Sequence, residues 1–311
     1  MTETTHTASR ADAVIADSVS KRFDAVTAVD QLSLCIRQGE LFGLLGPNGA
    51  GKTTTLRMIM SVIIPDTGRV SVFGETDPGR MQNLIGYLPE ERGLYPRMKV
   101  LDILVFLASL KGISEGEGRR RGREWLERLE IGSWAERKLI DLSKGMQQKV
   151  QFIAAVIHRP PLLILDEPFA GLDPVNAQVI KDVMLQMKNT GSTIILSSHR
   201  MEQVEMMCES ICLINAGRKV LDGELRAIKK QYGKNTLRLE ISGDGDFLNQ
   251  PDLIASVNHF GAIVEAKLQP GADPQEILRR AVSQGVRITR FELVEPPLND
   301  IFIEKVSGAH A

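Results

Sequence analysis

Apolar and polar positions follow two alternating patterns along the first two-thirds of the chain. Short apolar runs rich in Leu, Ile and Val are each followed by a stretch in which apolar residues recur at helical spacing. This order predicts strands that lead into helices, and hence a mostly parallel sheet. The predicted strands are 41–45, 162–165, 193–197 and 211–215, and the predicted helices are 52–63, 125–131, 145–158 and 175–188.

Two regions depart from this alternation. Residues 98–143 have helical spacing almost throughout, which predicts a helical subdomain inserted into the sheet domain. After Tyr232 the composition changes, and two strand-like and two helix-like segments follow a Gly- and Asp-rich stretch. We therefore expect an α/β fold with a flexible tail at 1–10, a sheet domain at 11–232 and a small α+β accessory domain at 233–311.

Composition narrows the choice of partners. The 311 residues are 43% hydrophobic and 25% charged, as in ordinary globular proteins. The 38 basic and 39 acidic residues leave a net charge of −1, so there is no overall basic field to attract nucleic acid. The chain has no run of the ~20 apolar residues that a membrane span needs, and its first residues do not resemble a secretory signal. We expect a cytoplasmic protein that does not bind nucleic acid.

The segment that follows the predicted strand 41–45 has the pattern Gly-x-x-x-x-Gly-Lys-Thr and begins a predicted helix. Its glycines allow backbone amides to curl around phosphate oxygens, and the helix N-terminus adds a partial positive charge. Lys52 can reach the β- and γ-phosphates, and the Thr53 hydroxyl can bind Mg²⁺. The fold is thus expected to be of the P-loop NTPase type. The expected nucleotide-binding residues here are Gly46, Pro47, Asn48, Gly49, Ala50, Gly51, Lys52, Thr53 and Thr54.

A second apolar strand ends in two carboxylates, Asp166 and Glu167. In open α/β folds the carboxyl ends of the strands face the ligand crevice. Asp166 is therefore expected to hold Mg²⁺, directly or through water, and Glu167 to polarise an attacking water. Paired acids at a strand end can also be simple helix-capping charges, but the phosphate loop favours the catalytic interpretation.

Three further segments complete a resemblance to ATP-binding cassette (ABC) ATPases. Residues 142–147 read LSKGMQ and resemble the Leu-Ser-Gly-Gly-Gln signature, while GLDP at 171–174 and SSH at 197–199 follow in the expected order. Together with the phosphate loop and the acidic strand, the resemblance covers most of residues 14–220. It is closest to the ATPase subunits of bacterial sodium- and drug-efflux exporters, whose membrane subunits are separate chains.

The resemblance implies that two such domains meet head to tail, with each ATP between the phosphate loop of one and the signature of the other. Ser143 and Gly145 would then contact the partner's ATP, and Ser143 is also expected to cap its own helix. Asp173 would connect the two ATP sites, and His199 would contact the γ-phosphate. Phe23 matches an adenine-stacking aromatic residue, usually Tyr; the alternative is a core Phe that ends a strand.

The chain departs from the family pattern at two places. Lys144 and Met146 replace a Gly and a Gln of the signature. Glu90 stands where the family has a Gln that binds Mg²⁺, in a loop that contacts the membrane subunit. A carboxylate is a competent ligand for this hard cation, so the expected metal ligands are Thr53, Glu90 and Asp166. Three carboxylates, those of Asp166, Glu167 and Glu90, are expected to approach one Mg²⁺.

The resemblance implies an ATP-hydrolysing subunit of an ABC exporter with ATP and Mg²⁺ as cofactors. Its expected partners are a second copy or a paralogous ATPase subunit and a polytopic membrane permease, which would hold it at the inner face of the cell membrane. The alternative is a soluble ABC ATPase in translation or DNA repair; such proteins carry paired cassettes, a zinc module or a long coiled coil, which this sequence lacks. Residues 291–302 resemble the small accessory domain at the end of many efflux ATPases.

Overall fold

The computed structural model of the protein describes residues 11–91, 93–233, 235–242, 246–261 and 263–308. The expected flexible tail at 1–10 lies outside these described residues. The chain divides into two compact units, residues 1–222 and 223–311. This division comes before the expected boundary after Tyr232, because a helix preceding the change in composition belongs to the second unit.

The first unit contains most of the strands and helices. Its described strands are β1 (Asp12–Phe23), β2 (Val26–Arg37), β3 (Leu41–Leu45), β4 (Thr67–Val72), β5 (Ile85–Leu88), β6 (Leu162–Asp166), β7 (Thr193–Ser198), β8 (Ser210–Asn215) and β9 (Arg218–Glu224), the last of which ends just past the division. Its described helices are α1 (Lys52–Ile59), α2 (Pro78–Asn83), α3 (Val100–Ser109), α4 (Glu115–Arg128), α5 (Lys144–Val156), α6 (Pro174–Asn189) and α7 (Met201–Met207).

A six-stranded sheet in the order β5-β6-β7-β3-β8-β9 forms the centre of this unit. The strands from β5 to β8 pair in parallel, so the predicted α/β fold with a mostly parallel sheet is confirmed. All residues of β3, β6 and β7 are buried, as expected for strands covered on both faces. Because these strands are parallel, their carboxyl ends meet at one edge of the sheet.

A three-stranded antiparallel sheet in the order β2-β1-β4 was not predicted. The pairing of β1 with β2 contains several register shifts, and each shift breaks the alternation of apolar and polar side chains that would have marked a strand. Val14 and Leu32 of this sheet share one core with Leu56 and Ile59 of α1 and with Ile164 of the central sheet. The two sheets and α1 therefore fold as one body.

Helices α3 and α4 lie within the helical region expected at 98–143, and two 3₁₀ turns, Gly132–Trp134 and Leu139–Asp141, lead from α4 to α5. Helix α4 begins ten residues earlier than the predicted 125–131 segment, at Glu115 rather than Trp125. Its first half lacks an apolar stripe and is held by ion pairs, such as Glu117 with Arg120 and Arg121 at 2.7 and 2.6 Å. In the described part of the chain, no helix has the length and apolar character required to cross a membrane.

The second unit is a small antiparallel α+β domain. Its elements are α8 (Leu225–Tyr232), β10 (Thr236–Ser242), β11 (Ile254–Phe260), β12 (Ile263–Leu268), α9 (Pro274–Ser283), β13 (Arg287–Val294) and α10 (Leu298–Gly308). The strands form one sheet in the order β11-β12-β10-β13. Ile277 and Ala281 of α9 pack with Leu237 and Leu239 of β10 in a core of their own.

The close packing of β5 on α5 generates a stability prediction. A Cβ atom on Gly86 would lie 2.1 Å from the carbonyl oxygen of Ala155 and 2.7 Å from Cγ of Pro160. We expect Gly86→Ala to lower the free energy of unfolding by about 1–3 kcal/mol, because the helix must move away from the strand. Urea unfolding followed by circular dichroism measures this change.

Gly93→Ala is the matched control, since a Cβ atom at Gly93 meets nothing within 4 Å. Its free energy of unfolding should stay within about 0.5 kcal/mol of the original. Equal stability of the two variants would contradict the close approach of β5 to α5.

Candidate functional site

Three glycines with positive φ shape the loop between β3 and α1: Gly46 at 150°, Gly49 at 77° and Gly51 at 105°. A Cβ atom on Gly46 would lie 2.1 Å from the carbonyl oxygen of Ile214, and one on Gly51 would lie 2.4 Å from that of Ala28. Only glycine satisfies both the backbone angle and the space at these two positions. As the N-cap residue of α1, Gly51 has no side chain to occupy the first amides of the helix, so they can serve a phosphate.

Lys52 is buried inside this loop, with 7% of its surface exposed. Its Nζ donates to the carbonyl oxygens of Gly46 at 2.8 Å and Pro47 at 3.1 Å. Burial lowers the pKa of Lys52, and the charges of Glu167, Asp166 and Glu90 act in the opposite direction. The ammonium is therefore fixed within the loop and close to acidic side chains.

Asp166 ends β6 and is buried beside the phosphate loop. Its Oδ2 accepts a hydrogen bond from Oγ1 of Thr53 at 3.1 Å. Burial raises the pKa of the Asp166 carboxyl group, and the bond from Thr53 partly opposes that shift. A hydroxyl and a carboxylate oxygen thus face each other, which is a donor pair that fits Mg²⁺ when phosphate oxygens and waters complete its shell.

The three carboxylates expected near Mg²⁺, those of Asp166, Glu167 and Glu90, all line one groove. Among the residues that the structure describes, no group of three or more His, Cys, Asp or Glu side chains is arranged to hold a metal ion. The Glu167 carboxylate accepts hydrogen bonds from Ser198 and His199 at the end of β7.

Glu167 follows β6 with a φ of 49°, in the left-handed region that few non-glycine residues adopt. Its Oε2 accepts from Oγ of Ser198 at 3.1 Å, and its Oε1 accepts from the amide of His199 at 2.7 Å. The ring Nδ1 of His199 lies 2.6 Å from the same Oε1. The His199 ring donates this hydrogen bond in the tautomer that carries its hydrogen on Nδ1. The side chains of Glu167 and His199 therefore form one connected unit.

These residues surround an open groove with a volume of about 530 Å³. Asn48 to Thr54 of the phosphate loop line it, together with Glu90, Asp166 and Glu167. Sequence reasoning missed a second wall, formed by Val26, Thr27, Ala28, Ala216 and Gly217. The Gly217 amide donates to the Ala50 carbonyl oxygen at 2.9 Å; only the folded chain brings these segments together, and no local motif marks them.

Phe23 lies at the end of β1, where its strand partner is Val26, a residue of the groove wall. The ring is 44% exposed and carries the Lys21 ammonium 5.7 Å from its centroid. The alternative of a core Phe is therefore wrong. Phe23 does not itself line the groove, but its exposed ring stands on the same hairpin as the wall.

Ser143, Gly145 and Asp173 lie apart from the groove, in a second cluster. Ser143 is the N-cap residue of α5 and accepts from the Met146 amide at 3.3 Å, as expected. A Cβ atom on Gly145 would lie 3.6 Å from Nδ2 of Asn176, so the start of α5 packs against the start of α6. Asp173 caps α6, and hydrogen bonds from Asn176 hold its pKa below the usual value.

Comparison with known proteins gives the family of this chain. The ABC transporter family model matches residues 29–170, and the model of the C-terminal domain of DrrA1-3-like ATP-binding proteins matches residues 223–306. An uncharacterized ABC transporter ATP-binding protein of Bacillus subtilis is 46% identical over 294 residues, which are 94% of this chain and 98% of that protein. The chain belongs to the ATP-binding proteins of ABC transporters.

Two further relatives extend the match. The linearmycin resistance ATP-binding protein of Bacillus subtilis is 32% identical over 303 residues, covering 93% of this chain and 96% of that protein. A solved dimeric ATP-binding cassette in a post-hydrolysis state, bound to ADP and Pi, superposes with a TM-score of 0.62 at 25% identity and covers 68% of this chain and 99% of that one. ATP hydrolysis is the general activity of the family, and this ABC protein is accordingly an ATPase.

The geometry around Glu167 generates a prediction for the ATPase. We expect Glu167→Gln to bind ATP with nearly unchanged affinity but to hydrolyse it about 100-fold more slowly or worse, because the proton acceptor near the phosphate loop is lost. Nucleotide binding by calorimetry and phosphate release over time measure the two properties.

Glu124→Gln on the exposed surface of α4 is the control for the same chemical change, and its turnover should equal that of the original protein. A Glu167→Gln variant with undiminished turnover would remove Glu167 from the catalytic role.

Proposed function

We propose that the protein is the ATP-hydrolysing subunit of an ABC-type membrane exporter and works as a head-to-tail dimer bound to a separate permease. One observation carries the dimer: the chain holds two clusters suited to phosphate, and they do not share a groove. The phosphate loop and the acids line one groove, whereas Ser143 and Gly145 stand at the start of α5 outside it. A second copy, turned head to tail, brings both clusters to one ATP.

Each residue of the groove takes a role that follows from its position. The loop 46–54 and the Lys52 ammonium bind the phosphates, and the exposed ring of Phe23 stacks on the adenine. Thr53, Asp166 and Glu90 would hold Mg²⁺, which would supply positive charge to offset that of the phosphates.

Glu167 accepts the proton of the attacking water. His199 holds Glu167 of its own protomer through Nδ1 and can face the γ-phosphate with the rest of its ring.

The second cluster supplies the partner's half of the site. The first amides of α5 and the Ser143 hydroxyl bind the γ-phosphate held by the other protomer. Asp173 is fixed at the start of α6, beside this cluster, and can link the two ATP sites across the dimer.

An apolar hollow next to the ATP groove is suited to the permease. It has a volume of about 240 Å³ and is lined by Leu94, Pro96, Leu139, Ile140, Gln147 and Gln151. The Ile140 side chain is 61% exposed, and Nε2 of Gln151 donates to the carbonyl oxygen of Glu91 at 2.9 Å. Because Glu91 follows the groove residue Glu90, a permease segment in this hollow would sense the state of the ATP site.

The role in export rests on the relatives. One relative is a linearmycin resistance ATP-binding protein. The second unit matches the C-terminal domain of DrrA1-3-like ATP-binding proteins. A soluble ABC ATPase of translation or DNA repair is not favoured, because the relatives are transporter proteins. The chain would then be cytoplasmic and attached through its permease to the inner face of the cell membrane.

The head-to-tail dimer generates a prediction for Ser143. We expect Ser143→Arg to leave nucleotide binding by the monomer intact but to prevent ATP-dependent dimerisation, because the bulky cation would occupy the partner's phosphate position. Light scattering after size exclusion, with a slowly hydrolysed ATP analogue, measures the mass of the particle. Ser133→Arg, on the exposed 3₁₀ turn after α4, should dimerise normally. Loss of monomer binding in Ser143→Arg would mean that Ser143 serves its own chain.

The hollow generates a prediction for the permease. We expect the tagged protein, purified from its own cells in mild detergent, to bring a polytopic membrane protein with it, and Ile140→Asp to lose that partner because a charge enters the apolar contact. Ile64→Asp places the same charge on another exposed isoleucine and should retain the partner. Basal ATPase activity should stay unchanged in both variants. If the Ile140→Asp variant still retained the permease, the contact between the two proteins would lie outside the hollow.

A further inference from the structure

An open surface cavity of about 710 Å³ lies at the opposite edge of the central sheet from the ATP groove. Pro160 and Pro161, just before β6, and Gly191 and Ser192, just before β7, form its floor. The acids of the ATP groove stand at the other ends of these strands, at Asp166 and after it. The volume falls within the range of about 300–1,000 Å³ that is typical of small-molecule sites.

Two arginines, Arg128 and Arg159, line the cavity, and its lining contains no acidic side chain. Helix α4 pairs its other arginines with carboxylates, as in the pair of Arg123 with Glu136 at 3.6 Å. Among the described residues, neither Arg128 nor Arg159 has such a partner. Arg128 instead contacts the side-chain amide of Gln186. Both arginines are exposed, so their N–H groups can be reached from solvent and donate charge-assisted hydrogen bonds to a negatively charged occupant.

The apolar side chains that line the cavity indicate the shape and polarity of the rest of the ligand. Trp125, Val156 and Met187 provide apolar surface, and the Arg128 guanidinium lies 4.6 Å from the centre of the Trp125 ring. This cation–π contact leaves the guanidinium edge available for hydrogen bonds. We propose that the cavity binds a small organic anion with a flat apolar body, whose acidic group lies between Arg128 and Arg159.

Such a ligand would contact α4, α6 and the turn after α5 at once. Trp125 and Arg128 belong to α4, whereas Met187 belongs to α6 and Arg159 follows α5. The site shares no lining residue with the ATP groove. Binding here does not depend on the proposed transport function, so the two can be tested separately.

The probe is 1-anilinonaphthalene-8-sulfonate, a flat aromatic anion whose fluorescence rises on binding, titrated into the full-length protein. N-phenyl-1-naphthylamine has the same rings without the charge. We expect Arg159→Gln and Arg128→Gln each to weaken binding of the sulfonate about tenfold, while binding of the neutral probe changes less than twofold. Circular dichroism melting confirms that the variants are folded.

Two controls sharpen the test. Arg123→Gln removes a paired arginine from the same helix and should leave the sulfonate affinity unchanged. Lys52→Ala damages the ATP groove and should also leave it unchanged, which separates this cavity from the nucleotide site. Sulfonate binding that survives both cavity substitutions, that falls in parallel with binding of the neutral probe, or that is absent from the original protein would overturn the proposal.

Discussion

The buried ammonium of Lys52 is the interaction around which the ATP site is arranged. Removing an ammonium from water is costly unless hydrogen bonds and opposite charges compensate. Carbonyl oxygens of Gly46 and Pro47 use two of its three N–H groups, and the third remains for a phosphate oxygen. The nearby carboxylates outnumber this single cation. A phosphate that enters this groove therefore meets more negative than positive side-chain charge.

The shared direction of the central strands determines where the two pockets of the first unit lie. Because β3, β6 and β7 run in parallel, the phosphate loop, Asp166 and Ser198 leave the sheet at one edge. The same constraint puts the turns that precede β6 and β7 at the other edge, where they form the arginine-lined cavity. One sheet thus separates two pockets of different chemistry, and substitutions at one edge can be tested without entering the other.

The sequence predicted the parts of the fold that depend on local patterns. Short, largely apolar runs marked β3, β6 and β7, and the glycine spacing of the phosphate loop marked its turn. Sequence patterns did not predict the elements that depend on contacts between distant residues. Bulges interrupt the alternation of apolar and polar residues in β1 and β2, and ion pairs take the place of an apolar stripe in the first half of α4. The contact between Glu167 and His199 joins residues 32 apart in sequence. No rule of sequence spacing predicts a hydrogen bond between these two side chains.

Helix α5 connects these sites physically. Ser143 caps its first turn, Gln147 and Gln151 face the apolar hollow, and Val156 in its last turn lines the arginine cavity. At 1.5 Å per residue the helix spans about 20 Å, and buried Lys149 fastens it to α4 by donating to the Leu129 carbonyl oxygen at 3.0 Å. One anchored helix therefore carries residues of three surfaces: its own N-cap, the apolar hollow and the arginine-lined cavity. A displacement of the whole helix would move all three together.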